Sequence, residues 1–116
     1  MQQPIEPAEG GAIDLQRRFG GLQRLYGVEP AQRITHASVA VVGIGGVGSW
    51  AAEALARSGV TQLRLIDLDN VAESNINRQI QALTDTVGMA KVDAMRARIA
   101  RINPQCRVDV VEDFVT

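Results

Sequence analysis

The sequence predicts an α/β domain in which helices wind about a parallel sheet, and three observations carry that expectation. A β-branched run, Ser38-Val-Ala-Val-Val42, ends on a glycine cluster, Gly43-Ile-Gly-Gly-Val-Gly48. An alanine-rich stretch of helical character follows the cluster. The alternation then continues to residue 111 as strand, loop and helix, strand. The pattern is the βαβαβ half of a doubly wound, Rossmann-like fold, whose right-handed crossovers place the strands in the order 3-2-1.

Each element has its own signal. Residues 1–13 contain two prolines and a Gly-Gly pair with little apolar content, and are expected to form a flexible arm. Over 14–26, Leu15, Phe19, Leu22 and Leu25 recur at helical spacing interrupted by Gly20-Gly21, which predicts short helical turns. Residues 30–35 read as another short helix, with Pro30 in its first turn. Residues 38–42 form the first strand, 49–57 a helix stopped by Gly59, and 62–67 the second strand. The polar stretch 71–82 reads as a loop. Val92, Met95, Ile99 and Ile102 mark one face of a helix over 88–103, which Asn103-Pro104 ends, and Val108, Val110 and Val111 give the third strand. In this order the first strand keeps one unpaired, valine-rich edge. Residues 14–116 are therefore expected to be the N-terminal part of a larger nucleotide-binding domain.

Composition narrows the function. The net charge of −1 gives no overall attraction to nucleic acid or anionic membrane, and 3% aromatic residues leave few platforms for stacking bases. A lone cysteine and the lack of a long apolar segment point to a cytoplasmic protein without membrane contact. Of 12 basic residues only Lys91 is lysine.

Gly43-x-Gly45-x-x-Gly48 joins a predicted strand to a predicted helix, the context in which backbone amides and a helix N-terminus receive phosphates, and Gly46 clears further room. Asp67 closes the second strand, where an acidic side chain accepts hydrogen bonds from ribose hydroxyls. These features alone fit NAD as well as ATP. Arg78, within Asn75-Ile-Asn-Arg-Gln79, and Lys91 favour ATP: two cations converging on phosphates suit the charge that builds up when a carboxylate displaces pyrophosphate, and hydride transfer has no use for them. Arg78 and Lys91 are thus the expected catalytic residues, and no protein metal site is expected.

Together Gly43 through Gly48, Asp67-Leu-Asp69, Ser74-Asn-Ile-Asn-Arg-Gln79, Gly88-Met-Ala-Lys91 and Ile102-Asn-Pro104 resemble the ubiquitin-activating-type family of ThiF, MoeB and HesA. The run from Gly43 to Arg57, with Arg18-Phe-Gly-Gly21, Arg24-Leu-Tyr-Gly27 and Asp113-Phe-Val-Thr116, is similar to its tRNA threonylcarbamoyladenosine dehydratase branch. The resemblance implies ATP with Mg²⁺, bound at Gly45, Gly46 and Asp67, with Ser74, Asn75, Arg78 and Lys91 around ribose and phosphates. It implies adenylation of the threonylcarbamoyladenosine carboxylate in tRNA followed by cyclisation; the alternative substrate is the C-terminus of a sulfur-carrier protein. It also implies a homodimer, with Arg17, Arg18 or Arg24 reaching across, a possible sulfur-transfer partner, and further catalytic residues beyond Thr116, so that this segment alone is expected to be inactive.

Four residues are expected to stand outside the chemistry or beside it. Cys106 lacks an activating neighbour and His36 a ligand partner. Trp50 reads as a packing residue, and Asp69 as a cap for the turn that follows.

Overall fold

The computed structural model of the chain describes residues 13–113, so nearly all of the expected N-terminal arm and Phe114, Val115 and Thr116 lie outside the described residues. Three short helices lead in: α1 (Leu15–Phe19), α2 (Gly21–Tyr26) and α3 (Val28–Thr35). They are followed by β1 (Ser38–Val42), α4 (Gly48–Arg57), β2 (Gln62–Ile66), a 3-10 turn at Glu73–Asn75, α5 (Lys91–Ile102) and β3 (Arg107–Val111). The strands are all parallel in the order β1-β2-β3, with Ser38, Gln62 and Arg107 in one row and Val42, Ile66 and Val111 in another. This is the expected 3-2-1 arrangement, and β1 is an edge strand.

One face of the sheet makes the core. Val41, Leu63 and Leu65 pack beneath Ala52 and Ala56 of α4 and Val92, Met95 and Ile99 of α5, all buried. Small residues on α4 bring that helix close to the sheet, while the larger side chains of α5 fill the remaining volume. Each large apolar side chain buried in this layer contributes about 1.5–3 kcal/mol. The lead-in helices close the end of this sandwich. The amide and hydroxyl of Thr61 donate to the Thr35 carbonyl at 3.1 and 2.6 Å, and a side chain at Gly59 (φ 84°) would press on Phe19 and Thr35 at 3.3 Å. Asn103 Nδ2 donates to the carbonyls of Ala56 and Val60, joining the ends of α4 and α5.

Two expectations shift. The helix expected from residue 88 starts at Lys91, because the preceding residues pair with the chain that leaves β2: Val71 N donates to Met89 O at 2.7 Å, Gly88 N to Val71 O at 2.8 Å, and Asn70 bridges Ala90. Gly88 at φ 96° serves that pairing. Trp50, expected in packing, is 54% exposed, and its indole N–H donates to the Arg78 carbonyl.

The helices are also joined by charge. Glu53, 7% exposed on α4, accepts from Arg57 Nε at 2.9 Å and from Arg98 Nε of α5. Burial opposes ionisation of this carboxyl, but the hydrogen bonds and charges of Arg98 and Arg57 outweigh it and hold it below the usual carboxylate range. A lowered pKa means stabilisation that is present above the ordinary carboxylate range and lost as pH falls through the folded value. Glu53→Gln should cost about 1–2 kcal/mol near neutral pH in urea unfolding, because the largely exposed Arg57 regains water. The deficit should shrink as pH drops below the ordinary carboxylate range; a deficit independent of pH would show that the charge of Glu53 is unimportant.

Candidate functional site

The corner between β1 and α4 is shaped by its glycines, for two different reasons. Gly43 adopts φ 86°, and a Cβ on Gly48 would lie 1.6 Å from the Gly43 carbonyl oxygen, so the chain itself demands glycine at both. Gly45 and Gly46 carry no such demand. A Cβ on Gly46 meets nothing within 4 Å, and one on Gly45 meets only Gln79 Nε2 at 3.8 Å. Their lack of side chains leaves the outside of the loop bare. Val47 beside them is 85% exposed, and among the described residues the amides of Gly46 and Val47 have no hydrogen-bond acceptor. Helix α4 starts here with neither a side-chain cap nor an acidic residue in its first turn, so its partial positive charge stays uncompensated. Bare backbone donors at a helix start fit the phosphates of a nucleotide.

The end of β2 lies beside this corner. Gly43 N donates to Ile66 O at 2.8 Å. Asp67 Oδ2 accepts from Ile44 N at 2.7 Å and Oδ1 from Asp69 N at 2.8 Å. A carboxylate has about four acceptor sites, so both oxygens retain capacity for a diol while they anchor the loop. Lys91 N donates to Asp69 O at 3.0 Å, which sets the first residue of α5 at the same end of the sheet. Lys91 is 8% exposed, and among the described residues its ammonium has neither a hydrogen bond nor an ion pair. A cation so enclosed suits an anionic ligand.

Residues 71–82 lie over the corner, held by contacts that sequence reasoning did not identify. Trp50 Nε1 donates to Arg78 O at 2.9 Å. The Ser49 hydroxyl donates to Gly45 O and accepts from Ile80 N at 3.3 Å. Gln81, 1% exposed, donates Nε2 to Ile44 O at 2.9 Å and to Gln79 Oε1 at 3.0 Å. Each of these staples joins residues about 30 apart or more, and no local pattern in the sequence pairs them. Asn75 is buried and builds the turn, its Oδ1 accepting from Ala72 N at 2.8 Å. Arg78 is exposed, and its Nη1 donates to Ser74 O at 2.9 Å and Asn77 Oδ1 at 3.1 Å. The guanidinium therefore folds over its own turn, and no contact joins it to Lys91.

The other singled-out residues lie elsewhere. Burial pushes the Cys106 thiol above its ordinary value, against a smaller opposite effect from a Leu63 backbone hydrogen bond, which makes it a poor nucleophile. His36 Nδ1 sits 2.8 Å from Gln32 O. Arg18 Nη1 donates to Ile102 O at 2.9 Å. Among the described residues, no three of His, Cys, Asp and Glu come together to hold a metal ion.

The profile of the ThiF family matches residues 16–116. The chain is 60% identical over 100 residues to the tRNA threonylcarbamoyladenosine dehydratase of Escherichia coli K12, covering 86% of this chain and 37% of that protein. It is 54% identical over 99 residues to the Bacillus subtilis 168 protein of the same name, covering 85% and 39%. The crystal structure of the E. coli tRNA N6-threonylcarbamoyladenosine dehydratase in complex with ATP superposes with a TM-score of 0.85 at 59% identity, covering 87% of this chain and 42% of that one. The chain thus spans about two fifths of the length of these relatives.

The two classes of glycine separate by experiment. Gly48→Ala should lower unfolding stability by about 3 kcal/mol or more, because the methyl group meets backbone. Gly46→Ala should leave stability unchanged or raise it by about 0.4–1 kcal/mol. Thermal unfolding of both variants is the measurement; equal losses would mean that Gly46 has an internal role.

Proposed function

This chain belongs to the ThiF family, and from that premise we propose that it is the nucleotide-binding part of an enzyme that uses ATP to adenylate the carboxylate of threonylcarbamoyladenosine in tRNA. The observation that carries the proposal is the bareness of Gly45 and Gly46, which nothing among the described residues requires and which a phosphate-bearing ligand does. High identity to a protein whose crystal structure is a complex with ATP supports the same ligand.

ATP supplies a phosphorus at which the carboxylate displaces pyrophosphate, and the later departure of AMP carries off the carboxylate oxygen as the side chain cyclises. The chain's own part is to bind and to stabilise charge. The amides around Gly45 and Gly46 and the start of α4 receive phosphate oxygens, Gly43 and Gly48 hold the corner in shape, and Asp67 accepts from ribose hydroxyls. Ser74 and Asn75 form the turn that presents Arg78. Lys91, buried and with no partner of its own among the described residues, meets growing negative charge on the phosphates. Arg78 leaves Ser74 and Asn77 to bring its planar fork to the phosphates.

Residues 14–116 on this reading correspond to the front part of the adenylating domain of the longer relatives. Mg²⁺ would arrive with the nucleotide, coordinated mainly by its phosphates. A homodimer and a cytoplasmic setting fit the same enzyme. With Arg18 engaged at Ile102, Arg17 and Arg24 are the better placed to reach a second copy.

Lys91→Ala should reduce ATP-dependent pyrophosphate exchange about 10²- to 10³-fold without changing the unfolding midpoint by more than a few degrees. Unchanged exchange would remove Lys91 from the mechanism. Following AMP release with threonylcarbamoyladenosine-containing tRNA and with a sulfur-carrier protein separates the two carboxylates: release with the carrier alone would replace the tRNA substrate.

A further inference from the structure

Four arginines gather at the ends of α4 and α5 farthest from the glycine corner. Glu53 grips Arg57 and Arg98 by their Nε atoms, so the Nη atoms of both guanidiniums are left for other acceptors. Arg18 satisfies the Ile102 carbonyl. Arg101 is exposed and has no ion-pair partner among the described residues. Arg18, Arg57 and Arg101 line one cleft with Phe19 and Ile102, and Arg57, Arg98 and Arg101 line the adjoining one, where Asp85 is the only acid among the described residues. Four cations therefore meet two acids, one of them buried, on a chain whose net charge is −1. Compensation of helix dipoles accounts for one cation at each helix end, and Arg18 already supplies one of these.

We infer that these adjoining clefts form a docking surface for the phosphodiester backbone of a structured RNA. The inference rests on the proposed function for the choice of RNA and on the arginines for the place. A buried carboxylate that clamps two guanidiniums pre-organises them, which lowers the entropy lost when phosphate oxygens bind their Nη edges. The surface lies a helix length from the glycine corner, about 15 Å for the ten residues of α4. A folded RNA is large enough to touch both places.

Fluorescence anisotropy of labelled unfractionated tRNA, titrated with the purified protein at several NaCl concentrations, tests the inference. Arg101→Glu and the double variant Arg57→Gln/Arg101→Gln are compared with the unaltered protein, with ATP titration and thermal unfolding run in parallel. Arg101→Glu should weaken tRNA binding roughly tenfold and flatten the salt dependence by about one unit of slope, with ATP affinity unchanged. If the double variant unfolds, Arg101→Glu decides alone. Unaltered tRNA affinity and slope would overturn the docking surface, and so would an unaltered protein that binds ATP but no tRNA; the nucleotide site survives both results. Weakened tRNA binding in a protein that binds no ATP would keep the surface and overturn the nucleotide site.

Discussion

The hydrogen bond from Ile44 N to Asp67 Oδ2, 2.7 Å long, ties the glycine corner to the end of the neighbouring strand. A bond to an ionised acceptor in a half-buried setting is worth about 1.5–3 kcal/mol, more than one ordinary loop contact. It acts where the loop leaves the sheet, so it fixes the direction in which the following amides face. Gly43 N to Ile66 O reinforces it from the backbone, and Gln81 holds the other side of Ile44 through its carbonyl. A loop free of side chains at Gly45 and Gly46 would otherwise be mobile. Three anchors at residues 43 and 44 make it a fixed row of donors, and pre-organised donors stabilise charge without moving.

The same residues show how far the sequence could be read. The strands, α4 and the order of the sheet were legible because their signals are periodic and punctuated: valines ending on glycine, alanines ending before Gly59, valines after Asn103-Pro104. The start of α5 was not, because pairing of residues 88–90 with the chain leaving β2 competes with helix formation, and such pairing leaves no local pattern. The positions of Asp67, Lys91 and the glycine corner at one end of the sheet follow from the topology and were expected. The staples through Ser49, Trp50 and Gln81 were hidden, since each joins residues about 30 apart or more, and nothing in a single sequence pairs them. Trp50 is the clearest case. It reads as a packing residue in the sequence, whereas its indole N–H holds the Arg78 carbonyl from an exposed position.

The fold divides its labour along the helix axes. Where α4 and α5 begin, uncompensated N–H groups, the Asp67 carboxylate and the backbone of Lys91 lie at the strand ends. Where they finish, arginines outnumber acids and Asn103 bonds two carbonyls to keep the helix ends together. Helix polarity alone favours anions at the first end and cations at the second, and the side chains follow it. Between the two lies the apolar layer of α4 and α5 on the sheet, which keeps both ends in a fixed relation.

Amide-resolved NMR of the protein titrated with ATP tests the central claim most directly. Bound phosphate at the glycine corner should shift the N–H signals of Gly45, Gly46 and Val47 most strongly and saturably, with those of Ile44 and Lys91 next. Saturable shifts centred elsewhere, with the 45–47 amides unmoved, would contradict it.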